Sequence, residues 1–277
     1  VPLLLIAAAL TWPHLKSLQE RSEPDSDAPG TVWWAVAAVA GAPALLQLAG
    51  QGLGYWSLLA AAAGLAALGL GVPKVLPPRA RVLRNGLGPI IASRAVQTGA
   101  FYAGEAFLLL GLQNLKGLDT LQAGLALTIG SLGWSFGSWL QARIRLRRDR
   151  IITAGTCFVA LGMVGITVFL TWVGVPLWIG VAAWTLAGCG MGLTVSSTAV
   201  ATMALSGPRE QGRNSGALLV AESIGSSVMT ALTGACYAVL LAEGVPAFGW
   251  IFFMLLAASV LAITASLRIG PVHDVAG

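Results

Sequence analysis

The sequence predicts an all-α membrane protein, a polytopic helical bundle. Hydrophobic residues make up 56% of its 277 residues, charged residues only 10%, and the mean hydropathy is +0.80. A soluble core of this size does not require that balance. The apolar residues also form runs long enough to cross about 30 Å of hydrocarbon, whereas a membrane β-barrel would show strands of about ten alternating residues.

Eight apolar runs are predicted to be spanning helices. They cover residues 32–50, 55–72, 90–112, 121–141, 151–172, 177–204, 215–241 and 247–267. Short loops separate most of them. Helices are favoured because a chain in lipid must satisfy its backbone hydrogen bonds within each segment.

The runs and the polar segments between them divide the chain into six parts. Residues 1–12 are expected to be the end of a truncated helix, because the run is too short to span and begins without Met. We therefore expect the chain to be a fragment. The other parts are a cytoplasmic linker (13–31), an extra helical pair (32–76), a basic connector (77–89), a six-helix domain (90–268) and a cytoplasmic tail (269–277).

The distribution of basic residues predicts the orientation. Of the 16 Lys and Arg residues, only Lys116 falls on the second side of the eight predicted spans. Basic loops are retained in the cytoplasm, so the linker, the basic loops and the C-terminus are expected there, in a multi-pass protein of the cell inner (plasma) membrane. The net charge of +5 then needs no nucleic acid partner, because these residues lie beside the anionic headgroups of the bilayer.

One carboxylate lies within a predicted span. Glu105 belongs to the run 90–112, and an acidic residue inside a membrane costs roughly 2.5–3.5 kcal/mol, so such residues tend to mark proton relays or substrate paths. Arg94, Thr98 and Phe101 lie on the same helical line, with Tyr102 on its flank. We predict a proton-coupling carboxylate among cavity-lining residues. The alternative is a structural carboxylate that bonds a neighbouring helix.

A second acidic residue, Glu222, is a candidate for coupling or gating. It stands about two turns from Arg213 in its predicted helix, so it could instead reach water, bind Arg213 or bond helix to helix. The hydroxyl cluster of Thr194, Ser196, Ser197 and Thr198 is expected to serve packing, because membrane hydroxyls usually bond their own backbone. The glycines at spacing four, 133 with 137 and 188 with 192, are expected to allow close helix contact.

Four local motifs carry a family resemblance: LQAG at 121–124, GWSFGSW at 133–139, GCGMG at 188–192 and PREQG at 208–212. With the helix arrangement, they make the chain similar to the C-terminal part of a major facilitator superfamily transporter, in the fourteen-helix drug:proton antiporter branch. The fold implied is the C-terminal six-helix half plus an extra helical pair. The function implied is proton-coupled efflux of small amphipathic compounds by a secondary transporter, with the missing N-terminal half as partner.

The basic turn after residue 137 is expected to be a topology anchor that contacts anionic lipid. The resemblance implies an alternative, a conformational latch. In the superfamily a similar loop pairs an aspartate with arginine and a helix end, and the matching residues here are Gly137, Arg143, Asp149 and Arg150. The spacing departs from the family pattern. Gly137, the arginine cluster and Asp149 are retained, but the spacing of the superfamily's Asp-Arg and Gly-Arg-Arg pattern is altered.

The sequence offers no arrangement of residues typical of a catalytic site, and neither a cofactor nor a metal is expected. The two histidines, His14 and His273, lie in opposite terminal segments, and Cys157, Cys189 and Cys236 are scattered over three spans. The alternative function is a membrane-embedded enzyme or lipid-handling protein that uses Glu105 as general acid or base.

Overall fold

The computed structural model describes residues 33–49, 55–75 and 85–272, and these residues form eight helices without a strand. The predicted all-α bundle is confirmed. The helices are α1 Trp33–Ala49, α2 Tyr55–Val75, α3 Leu87–Asn114, α4 Thr120–Arg143, α5 Arg148–Thr171, α6 Leu177–Ala204, α7 Gln211–Ala242 and α8 Ala247–Ser266.

Five of the described helices, α3, α5, α6, α7 and α8, are long and apolar enough to cross a membrane. α1 and the apolar part of α2 are shorter apolar helices. α4 has 24 residues but does not reach the same apolarity. Its four glycines and its hydroxyl and amide residues lower the mean hydropathy, although its outer face is strongly apolar.

The helices of the main bundle follow one another in space in the order α4, α6, α5, α8, α3 and α7. A further contact between α3 and α6 closes this arrangement. The core lies where α3, α5, α6 and α8 meet, and its large buried side chains include Met163, Phe169, Met191 and Phe252. The arrangement places α3 against both α6 and α7, where its polar residues are found.

Glycine sets the close contact of α4 with α6. A methyl group on Gly133 or Gly137 would overlap the backbone of Thr185 or Cys189 on α6. On α6, a methyl group at Gly192 would overlap the carbonyl of Trp134. The prediction that these glycines permit close packing is confirmed, and the 188–192 segment lies within a helix.

The segment after α8 packs back onto the bundle. Ile269 and Val272 are buried, and their carbonyls accept hydrogen bonds from the backbone N–H groups of Gly86 (3.0 Å) and Arg148 (3.0 Å). Gly86, at φ +83°, adopts a left-handed conformation that a residue with a side chain rarely takes. The expected cytoplasmic tail thus begins with four residues, 269–272, that join the starts of α3 and α5.

Several predicted segments lie outside the described residues. They are the truncated helix at 1–12, the linker at 13–31, most of the basic connector at 77–89, and His14 and His273.

Candidate functional site

A buried ion pair joins α3 to α7. The guanidinium of Arg94 donates to Oε2 of Glu222 from Nε (3.1 Å) and Nη2 (2.5 Å). The side chains are 5% and 20% exposed, respectively. Arg94 lies seven residues from the start of α3, about 10 Å along the axis. The pair is therefore well inside the helix and largely removed from water.

Helix α6 supplies the hydrogen-bond acceptors for the Nη1 nitrogen of Arg94. Arg94 Nη1 donates to the carbonyl of Val195 (2.8 Å) and to Oγ1 of Thr198 (2.8 Å). The hydroxyl of Thr198 in turn donates to the carbonyl of Thr194 (2.8 Å). Since an uncompensated buried charge is costly, these bonds from two helices are what allow the guanidinium to remain there.

Gln97 continues the same contact one turn farther along α3. Its amide nitrogen donates to Oγ1 of Thr194 (3.0 Å) and approaches the sulfur of Met191 (3.7 Å). Its Oε1 is buried and has no hydrogen-bond partner among the described residues. Gln97 was not among the residues predicted from the sequence. A lone amide inside an apolar run was the available signal, because such a group needs a partner in lipid.

Two glycines explain how α3 and α7 come close enough for this pair. A methyl group on Gly225 would overlap the backbone of Ala95, and one on Gly99 would crowd the backbone of Gly225. The backbones of α3 and α7 are therefore in contact at Ala95 and Gly99, just beyond Arg94. This contact fixes the distance over which Glu222 reaches Arg94.

Glu105 differs from both members of the pair. It lies eleven residues beyond Arg94, about 16 Å along α3 and about two thirds of the way to the helix end. Its side chain is half-buried. It forms neither a hydrogen bond nor an ion pair with any of the described residues. The bundle thus contains a carboxylate inside a long apolar helix that no described residue neutralises.

Aromatic rings surround the segment of α3 just before Glu105. Phe101 is buried and stacks on Trp184 of α6, with ring centroids 4.5 Å apart. Tyr102 and Trp134 are half-buried, with centroids 6.4 Å apart. Tyr102 lies within electrostatic range of Glu105, Glu222 and Arg94.

A groove between α3 and α7 opens immediately beyond Glu105. Its volume is about 310 Å³. It is lined by Ala106, Phe107, Leu109, Leu110 and Gln113 of α3 and by Thr230 and Gly234 of α7. The two helices, which touch at Gly225, therefore separate toward the end of α3 that carries Glu105.

The structure places the predicted cavity residues unevenly. Arg94, Thr98 and Phe101 are buried in contacts between helices, and Thr98 donates to the carbonyl of Arg94 (2.7 Å). Tyr102 alone keeps a partly open surface. Arg94, Thr98 and Phe101 therefore border no open space in this conformation, because α6 and α7 cover the face of α3 on which they lie.

The structure selects one alternative for the contact of Glu222. The carboxylate bonds helix to helix, to Arg94, and Arg213 instead pairs with Glu210 (3.2 Å). The prediction for the hydroxyl cluster is partly wrong. Thr194 and Thr198 bond their own backbone as expected, but they also accept hydrogen bonds from α3.

The four latch residues do not form one cluster. Asp149 pairs with Arg147 (2.9 Å) and accepts from the backbone N–H of Val272 (3.1 Å). Neither Arg143 nor Arg150 is its partner among the described residues. Arg143 lies 4.5 Å from the ring centre of Trp139, Arg150 is exposed, and Gly137 packs against α6. The predicted aspartate–arginine pair exists, but with Arg147, and it holds the segment 269–272.

Within the described ranges, no group of three or more His, Cys, Asp and Glu is placed to hold a metal ion. Cys157, Cys189 and Cys236 are free thiols. No protein-family model matches the chain, and the comparison with curated proteins gave no match.

Proposed function

We propose that this protein is a proton-coupled secondary transporter of the cell inner membrane that exports small amphipathic compounds by alternating access. The observation that carries the proposal is the unpaired Glu105 inside a spanning helix. The superfamily resemblance of the sequence motifs supports it.

Contact with acyl chains would be energetically costly for Glu105. A carboxylate turned toward acyl chains costs roughly 2.5–3.5 kcal/mol, and no described residue offsets that cost with a bond. A water-filled passage removes most of it. The groove between α3 and α7, which starts at Ala106, supports a passage beside Glu105.

The contrast with Glu222 supports a coupling role for Glu105 alone. Arg94 holds Glu222 through two hydrogen bonds, both to Oε2 of its carboxylate. Glu105 makes no such contact with any described residue. The carboxylate that exchanges protons in a cycle is therefore Glu105, and the Arg94–Glu222 pair fixes α3 against α7.

The surroundings of Glu105 also bear on the substrate. The half-buried rings of Tyr102 and Trp134 offer apolar surface close to a carboxylate. Compounds with an apolar body and a polar or positively charged group match both features. This pairing supports small amphipathic compounds as the substrate class.

The test is transport by a Glu105→Gln variant of the full-length gene product in sealed vesicles. The assay follows efflux of a fluorescent amphipathic dye such as ethidium, driven by an imposed proton gradient. We expect loss of proton-driven efflux with an unchanged amount of protein in the membrane. A Glu105→Asp variant should retain part of the activity, because the carboxylate is kept. Undiminished efflux by Glu105→Gln would remove Glu105 from the mechanism.

A further inference from the structure

The outer face of α4 is a continuous apolar stripe. Exposed side chains recur at intervals of three or four residues along the whole helix. They are Leu121, Leu125, Ile129, Leu132, Phe136 and Trp139. No described helix covers this stripe.

A groove runs beside the stripe where α4, α5 and α6 meet. Gly133 brings α4 against α6, so the larger side chains on either side of it bound a space of about 570 Å³. Its lining consists of Leu132, Gly133 and Phe136 of α4, Phe158 of α5, and Ala182, Thr185, Leu186 and Cys189 of α6. The hydroxyl of Thr185 donates to the carbonyl of Val181 (2.8 Å), so the groove presents an apolar wall.

The groove leads by direct contacts to a positive charge. Phe136, in its wall, stacks on Trp139 with centroids 5.8 Å apart, and the guanidinium of Arg143 lies 4.5 Å from the centre of the Trp139 ring. Arg143 and Arg145 are exposed, and neither pairs with a carboxylate among the described residues. The nearest acid in sequence, Asp149, is taken by Arg147.

The distances match one leaflet of a bilayer. Leu132 and Arg143 are eleven residues apart on α4, about 16 Å along the axis. Half of a hydrocarbon core is about 15 Å thick. An acyl chain in the groove would therefore place its headgroup at the level of Arg143.

We propose that this surface binds an anionic phospholipid. One acyl chain lies in the groove between α4, α5 and α6, and the headgroup phosphate contacts Arg143 and Arg145. The ring of Trp139 holds the flat face of the Arg143 guanidinium, which leaves its N–H edge free for phosphate oxygens. This lipid site is independent of the proposed transport, since it uses neither Glu105 nor the Arg94–Glu222 pair.

The charge half of the proposal is tested with spin-labelled lipids. The chain is reconstituted in phosphatidylcholine vesicles that contain trace spin-labelled phosphatidylglycerol or phosphatidylcholine, and the motionally restricted fraction of each is measured. We expect wild type to prefer phosphatidylglycerol. The double variant Arg143→Gln/Arg145→Gln should lose about fivefold of that preference per arginine, the equivalent of ~1 kcal/mol for each basic side chain.

The matched control changes two other exposed arginines, Arg209→Gln/Arg268→Gln, and alters the net charge equally. It should keep the wild-type preference. An equal fall in both double variants would overturn the site, since the preference would then follow overall charge alone.

The groove half is tested without changing charge. Ala182→Phe places a ring in the groove and should reduce the restricted phosphatidylglycerol fraction, whereas Ala154→Phe, an exposed position on α5, should not. An unchanged fraction in Ala182→Phe would contradict acyl binding in the groove.

Excess inorganic phosphate should leave the restricted fraction in place. Full displacement by phosphate would show an anion site without a bound lipid chain and would also overturn the proposal.

Discussion

The two carboxylates of the bundle, Glu222 and Glu105, occupy contrasting surroundings on the two sides of a single helix contact. Glu222 accepts two hydrogen bonds from Arg94, whose Nη1 donates to Val195 and Thr198. Glu105 lies about 16 Å farther along α3, beside a groove and without a partner among the described residues. The backbone contact at Gly225 separates the two regions.

This difference indicates how one helix can combine rigidity with exchange. An acid held by a buried arginine stabilises the packing of α3 on α7 as long as both charges are present. An acid without a partner contributes little to packing, and in the proposed function it is the acid that exchanges protons. The four substitutions below test that contrast, from the largest expected loss of stability to the smallest.

Removing Glu222 should give the largest loss. Glu222→Ala leaves the guanidinium of Arg94 buried without its counter-charge, which costs about 3–5 kcal/mol. Equilibrium unfolding in detergent micelles measures it. The control is Arg213→Ala, which breaks the exposed pair with Glu210 and should cost about 0–1 kcal/mol. Equal losses in the two variants would show that the buried pair does not hold the bundle together.

The glycine contact that separates the two regions can be broken directly. In Gly225→Ala the new methyl group meets the backbone of Ala95, so the helices must move apart at a cost of about 1–3 kcal/mol. Gly234→Ala lies on the same helix with no atom within 4 Å of the added group and should be neutral or stabilising. The same unfolding assay separates them. Equal stability of the two variants would mean that α3 and α7 are not in backbone contact.

A smaller effect is expected at the start of α5. Asp149→Asn weakens the pair with Arg147 and the bond from the N–H of Val272, so the segment 269–272 should detach more often. The stability loss should stay near 1 kcal/mol because the pair is partly exposed. The sharper measurement is maleimide labelling of a Val272→Cys variant, which should be faster with Asn at 149. Asp119→Asn, at the cap of α4, serves as the control, and equal labelling rates would contradict this role of Asp149.

Glu105 should matter least to stability. Glu105→Gln removes no hydrogen bond or ion pair with the described residues, so unfolding should change by less than about 0.5 kcal/mol. The measurement is the unfolding assay used for Glu222→Ala. A loss as large as that of Glu222→Ala would reveal a partner for Glu105 and would place it with the structural carboxylates.

The helices were predictable because apolar length alone marks a spanning segment. All eight predicted runs correspond to helices, and the bounds differ by only a few residues, as at Leu87–Asn114 against a prediction of 90–112. The residues that hydropathy did not predict are polar ones at the ends of helices. Asp119 and Gln122 form a capping box that starts α4, and hydropathy does not register such a signal.

The contacts of the site were less predictable, because they depend on how distant helices pack. The sequence marked Arg94 and Glu222 as polar residues inside helices but did not join them, since 128 positions separate them. Glycines 99 and 225 decide that contact through backbone distance, which a single sequence does not show. That no described residue pairs with Glu105 likewise depends on how the neighbouring helices pack.

The central claim is that Glu105 meets water inside the membrane, and site-specific labelling tests it most directly. In the full-length gene product with Cys157, Cys189 and Cys236 replaced by Ser, Glu105→Cys is exposed to a membrane-impermeant thiol reagent from each side in turn. Leu161→Cys, on the exposed apolar face of α5, is the lipid-facing control. We predict that position 105 reacts from both sides, at rates that an amphipathic substrate alters, while position 161 stays unreactive. A cysteine at 105 as unreactive as the one at 161 would contradict the account.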